Sequence, residues 1–257
     1  MADTPASLPL VQGLWVGRTL SVMERLSIAS FLQHGHPYHL YVYDDPGPVP
    51  AGAVLKDAAE ILSAGRIFTY RRHRTYSGFS NLFRYRLLFG RGGCWADTDL
   101  VCLRPVTAAA DLLFAGQRVH FPRRLWRGAV QATNCFIKAP AAAPIMGHCH
   151  RMADGLDPQR LRWGQTGPDL VRAAVGRFGL GSAVLPATAF CPVDWWRWRL
   201  LVDAAFGRRW QRAVAGGDEM PFGIHLWHEM WRRSQTDPDR PQAPDCIYER
   251  LKARYLG

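Results

Sequence analysis

Apolar residues along the chain recur with two spacings, one of about two residues and one of three to four. Residues 11–16 (VQGLWV) read as a first strand, and 19–33 as a helix with Leu20, Met23, Leu26, Ile28 and Phe31 apolar and a stop near Gly35. Residues 39–43 (HLYVY) predict a second strand that ends at Asp44-Asp45, followed by a short helix over 56–63 and a strand over 66–70. The clearest helix is 78–90, where Leu82, Tyr85, Leu88 and Phe89 share a face and Gly92-Gly93 stop it. A short strand around 94–96, the triplet Asp97-Thr98-Asp99 and the apolar run Leu100–Leu103 come next. Further strands are expected at 112–116, 133–138, 182–186 and 222–227, with helices at 144–153, 167–177 and 244–255. Such alternation predicts an α/β sandwich on a mixed central sheet, with ligands beyond the carboxyl ends of its strands. Asp44 and Asp97 both fall at such ends.

The 257 residues suit one domain spanning 1–257. Apolar residues make up 48% and charged residues 21%, which argues against disorder. The charge changes the picture more: 32 basic against 21 acidic residues give a net +11, and only Lys56, Lys138 and Lys252 are lysines. That balance favours anionic partners, among them phosphates, nucleotides, nucleic acid and acidic membrane surfaces. No apolar stretch approaches the ~20 residues of a membrane span. MADTPASLPL lacks the basic and apolar regions of a signal peptide, so a cytoplasmic protein is expected. The six cysteines (Cys94, Cys102, Cys135, Cys149, Cys191, Cys246) form no C-x-x-C pair and read as reduced core thiols. His148-Cys149-His150 fits no common zinc spacing and reads as part of a helix after Pro144.

Asp97 and Asp99 carry the most chemistry. Carboxylates at i and i+2, leaving a strand with extended backbone, point the same way. Hard divalent cations such as Mg²⁺ or Mn²⁺ use one or two carboxylates and fill the rest of their shell with water and phosphate oxygens. A nucleotide diphosphate leaving group suits such a site, because the cation neutralises charge that builds as the bond to phosphate breaks. Asp-x-Asp alone is common by chance, and two solvated turn aspartates are the bland alternative.

The surrounding block, SNLFRYRLLFGRGGCWADTDLVCLRP over 80–105, resembles the signature of the Asp-x-Asp sugar transferases of glycosyltransferase family 32. Relatives of that family include the yeast initiating α-mannosyltransferase, the α-1,4-galactosyltransferases and, distantly, the large clostridial glucosylating toxins. Ser80, Arg84, Tyr85, Leu88, Gly92, Gly93, Asp97 and Asp99 match in register, while Asn81 stands where the family usually has Asp and Trp95 where it usually has Tyr. The resemblance implies a GT-A-type (Rossmann-like) nucleotide-sugar-binding sandwich. It also implies Ser80, Asn81, Arg84 and Trp95 near the donor, with Arg84 stabilising its charge. Asn retains hydrogen-bonding capacity but lacks the charge of Asp, so the departure bears on donor-sugar identity.

The resemblance reaches both ends. Trp15, after the first strand, holds the place of a Trp that stacks on uracil in the toxins, and a flat indole suits a base face. In GIHLWHEMW (223–231), His225 and Trp227 match a family His-x-Trp, which implies His225 as a third metal ligand beside Asp97 and Asp99 and Trp227 beside the β-phosphate. His228 replaces the usual Asn. In ATNCFIKAPAAAPI (132–145), Asn134 is a candidate for contacting sugar or acceptor. In WGQTGPDLVRAA (163–174), Thr166 caps a helix, and Gln165 and Asp169 are candidates for the acceptor cleft.

The expectation that follows is a retaining hexosyltransferase that uses Mn²⁺ or Mg²⁺ and a UDP-sugar donor, with a saccharide or lipid-linked acceptor, in bacterial surface polysaccharide synthesis. The runs Arg71–Arg74 and Arg123–Arg127, with Trp126, Trp195, Trp196 and Trp198, suggest either solvated loops, peripheral contact with an anionic membrane, or a sugar-stacking cleft. Three alternatives share some of these features. A haloacid-dehalogenase-like phosphatase would share Asp97-Thr98-Asp99-Leu100-Val101, but the preceding strand is poor and no downstream acidic pair follows. A basic nucleic-acid-binding module lacks the common motifs, so no nucleic-acid partner is expected. The third is a GT-A-fold nucleotide-sugar-binding protein whose chemistry is weak or lost, which Asn81 motivates.

Overall fold

The structure, a computed structural model, describes residues 8–71, 74–120, 129–215 and 220–257. The chain opens with strand β1 (Val11–Trp15), helix α1 (Val22–Gln33), β2 (Tyr38–Val42) and β3 (Ala53–Asp57). Helix α2 (Ser77–Arg91), β4 (Gly93–Ala96), β5 (Leu100–Cys102), β6 (Leu113–Arg118) and β7 (Val130–Ala139) follow. Helices α3 (Pro144–Asp154), α4 (Pro168–Arg177), α5 (Ala187–Phe190) and α6 (Ala204–Ala215) lead to β8 (Gly223–His225), α7 (His228–Arg233) and α8 (Ile247–Tyr255).

The main sheet has the order β3-β2-β1-β4-β7-β6, with β1 to β4 mutually parallel and β7 antiparallel to both β4 and β6. This is the mixed α/β sandwich expected. Period-two alternation sorts the strands. Leu14, Tyr41, Trp95 and Ile137 pack with α2, α3 and α4 on one face, while Val11, Tyr38, Leu40, Cys94, Ala96 and Phe136 pack with α1 on the other. Burying each of the larger aliphatic and Phe side chains among these contributes roughly 1.5–3 kcal/mol. Helix α1 begins with a capping box in which Ser21 Oγ accepts from Met23 N and Glu24 accepts from Ser21 N at 2.7 Å. Helix α2 ends at Gly92, whose φ of 67° suits glycine, and a Cβ there would lie 2.5 Å from Ala141 N.

Three elements differ from the periodicity. Residues 56–63 hold the end of β3 and a 3₁₀ turn (Ala58–Glu60) in place of a helix. Strand β3 is a largely exposed edge strand, so it carries no apolar alternation; its pairing with β2 sets its conformation. Residues 66–70 form no strand, because Tyr70 N bonds Thr75 O within its own loop. Residues 182–186 make a 3₁₀ turn and a single bridge, Val184 to Phe114, before Pro186 leads into α5. The helical segments 195–202 and α6 were not expected from sequence, although α6 is strongly amphipathic, and its Phe206 and Trp210, four residues apart, pack against the cluster that holds β5 and β8. Among the described residues no helix is long and apolar enough to cross a membrane.

Strands β1, β2 and β3 progress outward in one direction, and the chain then returns to place β4 on the other side of β1. A crevice opens at such a reversal, beyond the carboxyl ends of β1 and β4. Trp15 ends β1 and Asp97 follows β4 at this reversal, whereas Asp44, after β2, is exposed and lies outside the crevice lining.

Candidate active site

A cleft of ≈ 700 Å³ occupies the crevice. Trp15, Ser80, Asn81, Arg84, Trp95, Asp97, Asp99, Asn134, His225 and Trp227 all line it, together with Asp169 and Trp195. Of the remaining sequence candidates, Gln165 Oε1 accepts from Arg162 N and does not line the cleft. Arg72, His73 and the stretch Arg123–Arg127 lie outside the described residues.

The carboxylates converge through a turn and not through extended backbone. Asp97 N donates to Cys135 O at 2.8 Å on β7, and Leu100 N closes back onto Asp97 O at 2.9 Å. Antiparallel pairing of β5 with β8 sets His225 opposite Leu100, and Leu226 N donates to Asp99 O. The ligand atoms of Asp97, Asp99 and His225 thereby lie within 4.8 Å of one another.

Each carboxylate has its own support. Asp97 Oδ1 pairs with Arg84 at 2.7 Å and accepts from Trp95 Nε1 at 2.9 Å. Arg84, 3% exposed, also donates to Asn134 O and Ser80 Oγ and stacks over the Trp95 indole at 4.7 Å. Trp95 is itself 1% exposed: its ring packs in the core beside Phe83, and its N–H reaches Asp97. Asp99 Oδ1 meets His225 Nε2 at 3.0 Å, and Asp99 Oδ2 accepts from His228 N at 2.8 Å.

Burial raises the carboxyl of Asp97, opposed by the Arg84 charge and reinforced by Asp99. Asp99 moves the other way: burial alone would raise it, but the charge and hydrogen bond of His225 hold it well below the usual carboxylate range. For His225, burial favours the neutral ring, and Asp99 outweighs it, taking the imidazole up to about 9. The site thus couples a buried imidazole to one carboxylate beside a second carboxylate.

Asn81 belongs to a closed amide network. Its Oδ1 accepts from Asn134 Nδ2 at 2.6 Å and its Nδ2 donates to Thr166 Oγ1 at 3.2 Å, while Tyr85 OH donates to Thr166 O. Thr166 therefore braces the cleft wall and does not cap α4 as its sequence suggested, since the N-cap is Gly167 and no side chain bonds there. The Trp227 indole lies 3.9 Å from the His225 ring and donates its N–H to Val193 O at 2.8 Å, with a left-handed backbone (φ 60°, ψ 49°).

Sequence reasoning missed the buried Glu24 and its ion pair with His228 Nδ1 at 3.0 Å. The only signal for Glu24 was its place in the capping box, which the same carboxylate also completes. The cleft mouth was missed as well: Tyr70 and Trp163 rings lie 5.3 Å apart, with the Arg233 guanidinium 4.5 Å over Trp163.

No family model matches the chain, and no curated protein matches it. Solved structures do. The glycosyltransferase GlyE of Streptococcus pneumoniae TIGR4 is 12% identical with a TM-score of 0.50, over 98% of this chain and 61% of that one. The PaToxG glycosyltransferase is 10% identical with a TM-score of 0.47, over 97% of this chain and 86% of that one. The chain thus spans less than two thirds of GlyE. The likeness to GlyE, with the mixed sheet, gives the chain the fold of a GT-A glycosyltransferase.

Proposed function

We propose that the chain is a cation-dependent, retaining glycosyltransferase that moves a hexose from a UDP-linked donor to a saccharide or lipid-linked acceptor. The observation that carries this reading is the convergence of Asp97, Asp99 and His225 within 4.8 Å in a ≈ 700 Å³ cleft at the strand-order reversal. The donor set fits the cation: two hard carboxylates and one imidazole suit Mn²⁺, and Mg²⁺ less well because of the imidazole nitrogen. Asp97, Asp99 and His225 would hold it. When bound, it supplies neutralisation of the charge that builds on the leaving diphosphate.

The chain's own groups divide the remaining work. Arg84, fixed by Ser80, Asn134 O and Asp97, offers a preorganised positive charge beside the diphosphate. Trp15 presents an indole at the end of β1 for a base to stack on. Asn81 and Asn134 keep unused amide capacity at the cleft wall for sugar hydroxyls. Tyr70, Tyr76 and Trp163 line the cleft with aromatic rings suited to an acceptor sugar. The front-face mechanism expected of a retaining enzyme leaves the acceptor proton to the departing diphosphate oxygen. Surface polysaccharide assembly at the cytoplasmic face of a membrane is the setting this reading favours.

The test is Mn²⁺-dependent hydrolysis of UDP-hexoses. Asp97→Ala and Asp99→Ala are expected to abolish it, and full activity in either variant sinks the assignment. A second reading rests on Asn81, which is neutral and tied into its own wall: a protein that binds a nucleotide sugar without transferring it. UDP binding by calorimetry that needs Mn²⁺, with no turnover of any donor, would favour that reading.

A further inference from the structure

His225 faces two clusters. One is the carboxylate pair; the other is Cys135 and Cys191, whose sulfurs lie 3.8 Å apart and each within 4.8 Å of an imidazole nitrogen. Cys135 sits on β7 immediately behind the carboxylate turn, since its carbonyl accepts the Asp97 N–H. Cys191 follows α5. Both thiols are 1% exposed, and His225 is 8% exposed.

Two independent features point to a ligand. Tetrahedral thiolate coordination with metal–sulfur bonds of about 2.3 Å places two sulfurs about 3.8 Å apart, which is the spacing here. In addition, His225 Nδ1 is buried with no hydrogen-bond partner, although Nε2 is bonded to Asp99. A buried nitrogen without a partner is destabilising, and a bound cation would satisfy it. Among the described residues, Cys94, Cys102, Cys149 and Cys246 join no such cluster.

We propose that Cys135 Sγ, Cys191 Sγ and His225 Nδ1 form a second cation site, for a thiophilic d¹⁰ ion of the Zn²⁺ class, behind the Asp97–Asp99 pair. Soft thiolates with one imidazole select such ions over Mg²⁺ or Mn²⁺, and three protein ligands leave one tetrahedral position to water. Binding replaces the two thiol protons and the proton on His225 Nδ1, all of which leave to solvent, and requires no electron transfer. One consequence rests on the function proposed above. With Nδ1 coordinated, Nε2 keeps its proton and its bond to Asp99 Oδ1, so His225 no longer completes the carboxylate set. Occupation of the thiol site then weakens Mn²⁺ binding by about ten-fold or more.

The experiment titrates the metal-free full chain with Cd²⁺ and follows thiolate-to-cadmium absorption in the ultraviolet. One Cd²⁺ per chain is expected. The band is lost in Cys135→Ser and Cys191→Ser and kept in Cys94→Ser and Asp97→Asn. X-ray absorption on the cadmium-loaded wild type needs no substitution, and two sulfur neighbours are expected there. No binding, an all-oxygen shell, or a band lost in Asp97→Asn but kept in the cysteine variants overturns the proposal. None of these readouts involves a sugar nucleotide, so failure here and failure of the hydrolysis test are distinguishable.

Discussion

Arg84→Met isolates the balance on which the site stands. Arg84 is nearly fully buried and pairs with Asp97 at 2.7 Å, so the substitution keeps most of the side-chain volume and removes the charge. Removing one partner of a buried pair costs about 3–5 kcal/mol. The Asp97 side chain retains 23% exposure, which moves the expectation to the lower end, about 3 kcal/mol, even with Asn134 O and Ser80 Oγ losing their donor. The pH dependence follows from Asp97. Burial already raises its carboxyl and Arg84 opposes that, so the variant's folded pKa lies higher still. An acid whose folded pKa exceeds its unfolded value of about 3.9 loses stability as it ionises. The added penalty is absent where the carboxyl is protonated in both states and complete above the variant's folded pKa. Urea unfolding at pH 5 and pH 8 measures it as a shift of midpoint at unchanged slope. The expected gap between wild type and variant is about 3 kcal/mol at pH 8 and clearly smaller at pH 5. A penalty below about 1 kcal/mol, or one equal at both pH values, refutes the account of Asp97 as a buried carboxylate held by Arg84.

Two further outcomes are expected. Trp15→Ala should weaken UDP binding by about five- to 150-fold, the equivalent of one base–aromatic stack at about 1–3 kcal/mol, read by calorimetry with Mn²⁺ present; unchanged affinity would place the base elsewhere. Asn81→Asp removes the donor to Thr166 Oγ1 and adds a charge on a wall that already holds Asp97, so a stability loss of about 1–3 kcal/mol is expected, read as a melting temperature lower by several degrees. A variant as stable as wild type would mean that the amide network does not need its neutral member.

The parts legible in sequence were those whose burial imposes a period. Strands β1, β2 and β4 and helix α2 show it, because each buries a fixed set of apolar positions against the sheet. Strand β3 did not, since an exposed edge leaves its side chains to solvent. The residues that meet in the cleft were named from the Asp-x-Asp block and its resemblance, but their supports were not. Glu24 with His228, and Asn81 with Thr166, are pairs from distant parts of the chain, and only the folded sheet brings them together. The Asp97–Asp99 convergence was anticipated on extended backbone, yet a turn closed by Leu100 N produces it.

Trp227 fixes how much the chain can tolerate in length. Its left-handed backbone ends β8 and starts α7 within three residues, and both neighbours grip one carboxylate: His225 takes Asp99 Oδ1 and His228 N takes Oδ2. The β5–β8 register anchors one end of this clasp, and the Glu24–His228 contact anchors the other. An insertion or deletion of a single residue between 225 and 228 cannot be absorbed at either anchor, so it must strip one oxygen of Asp99 of its partner. The segment is a ruler cut to one length.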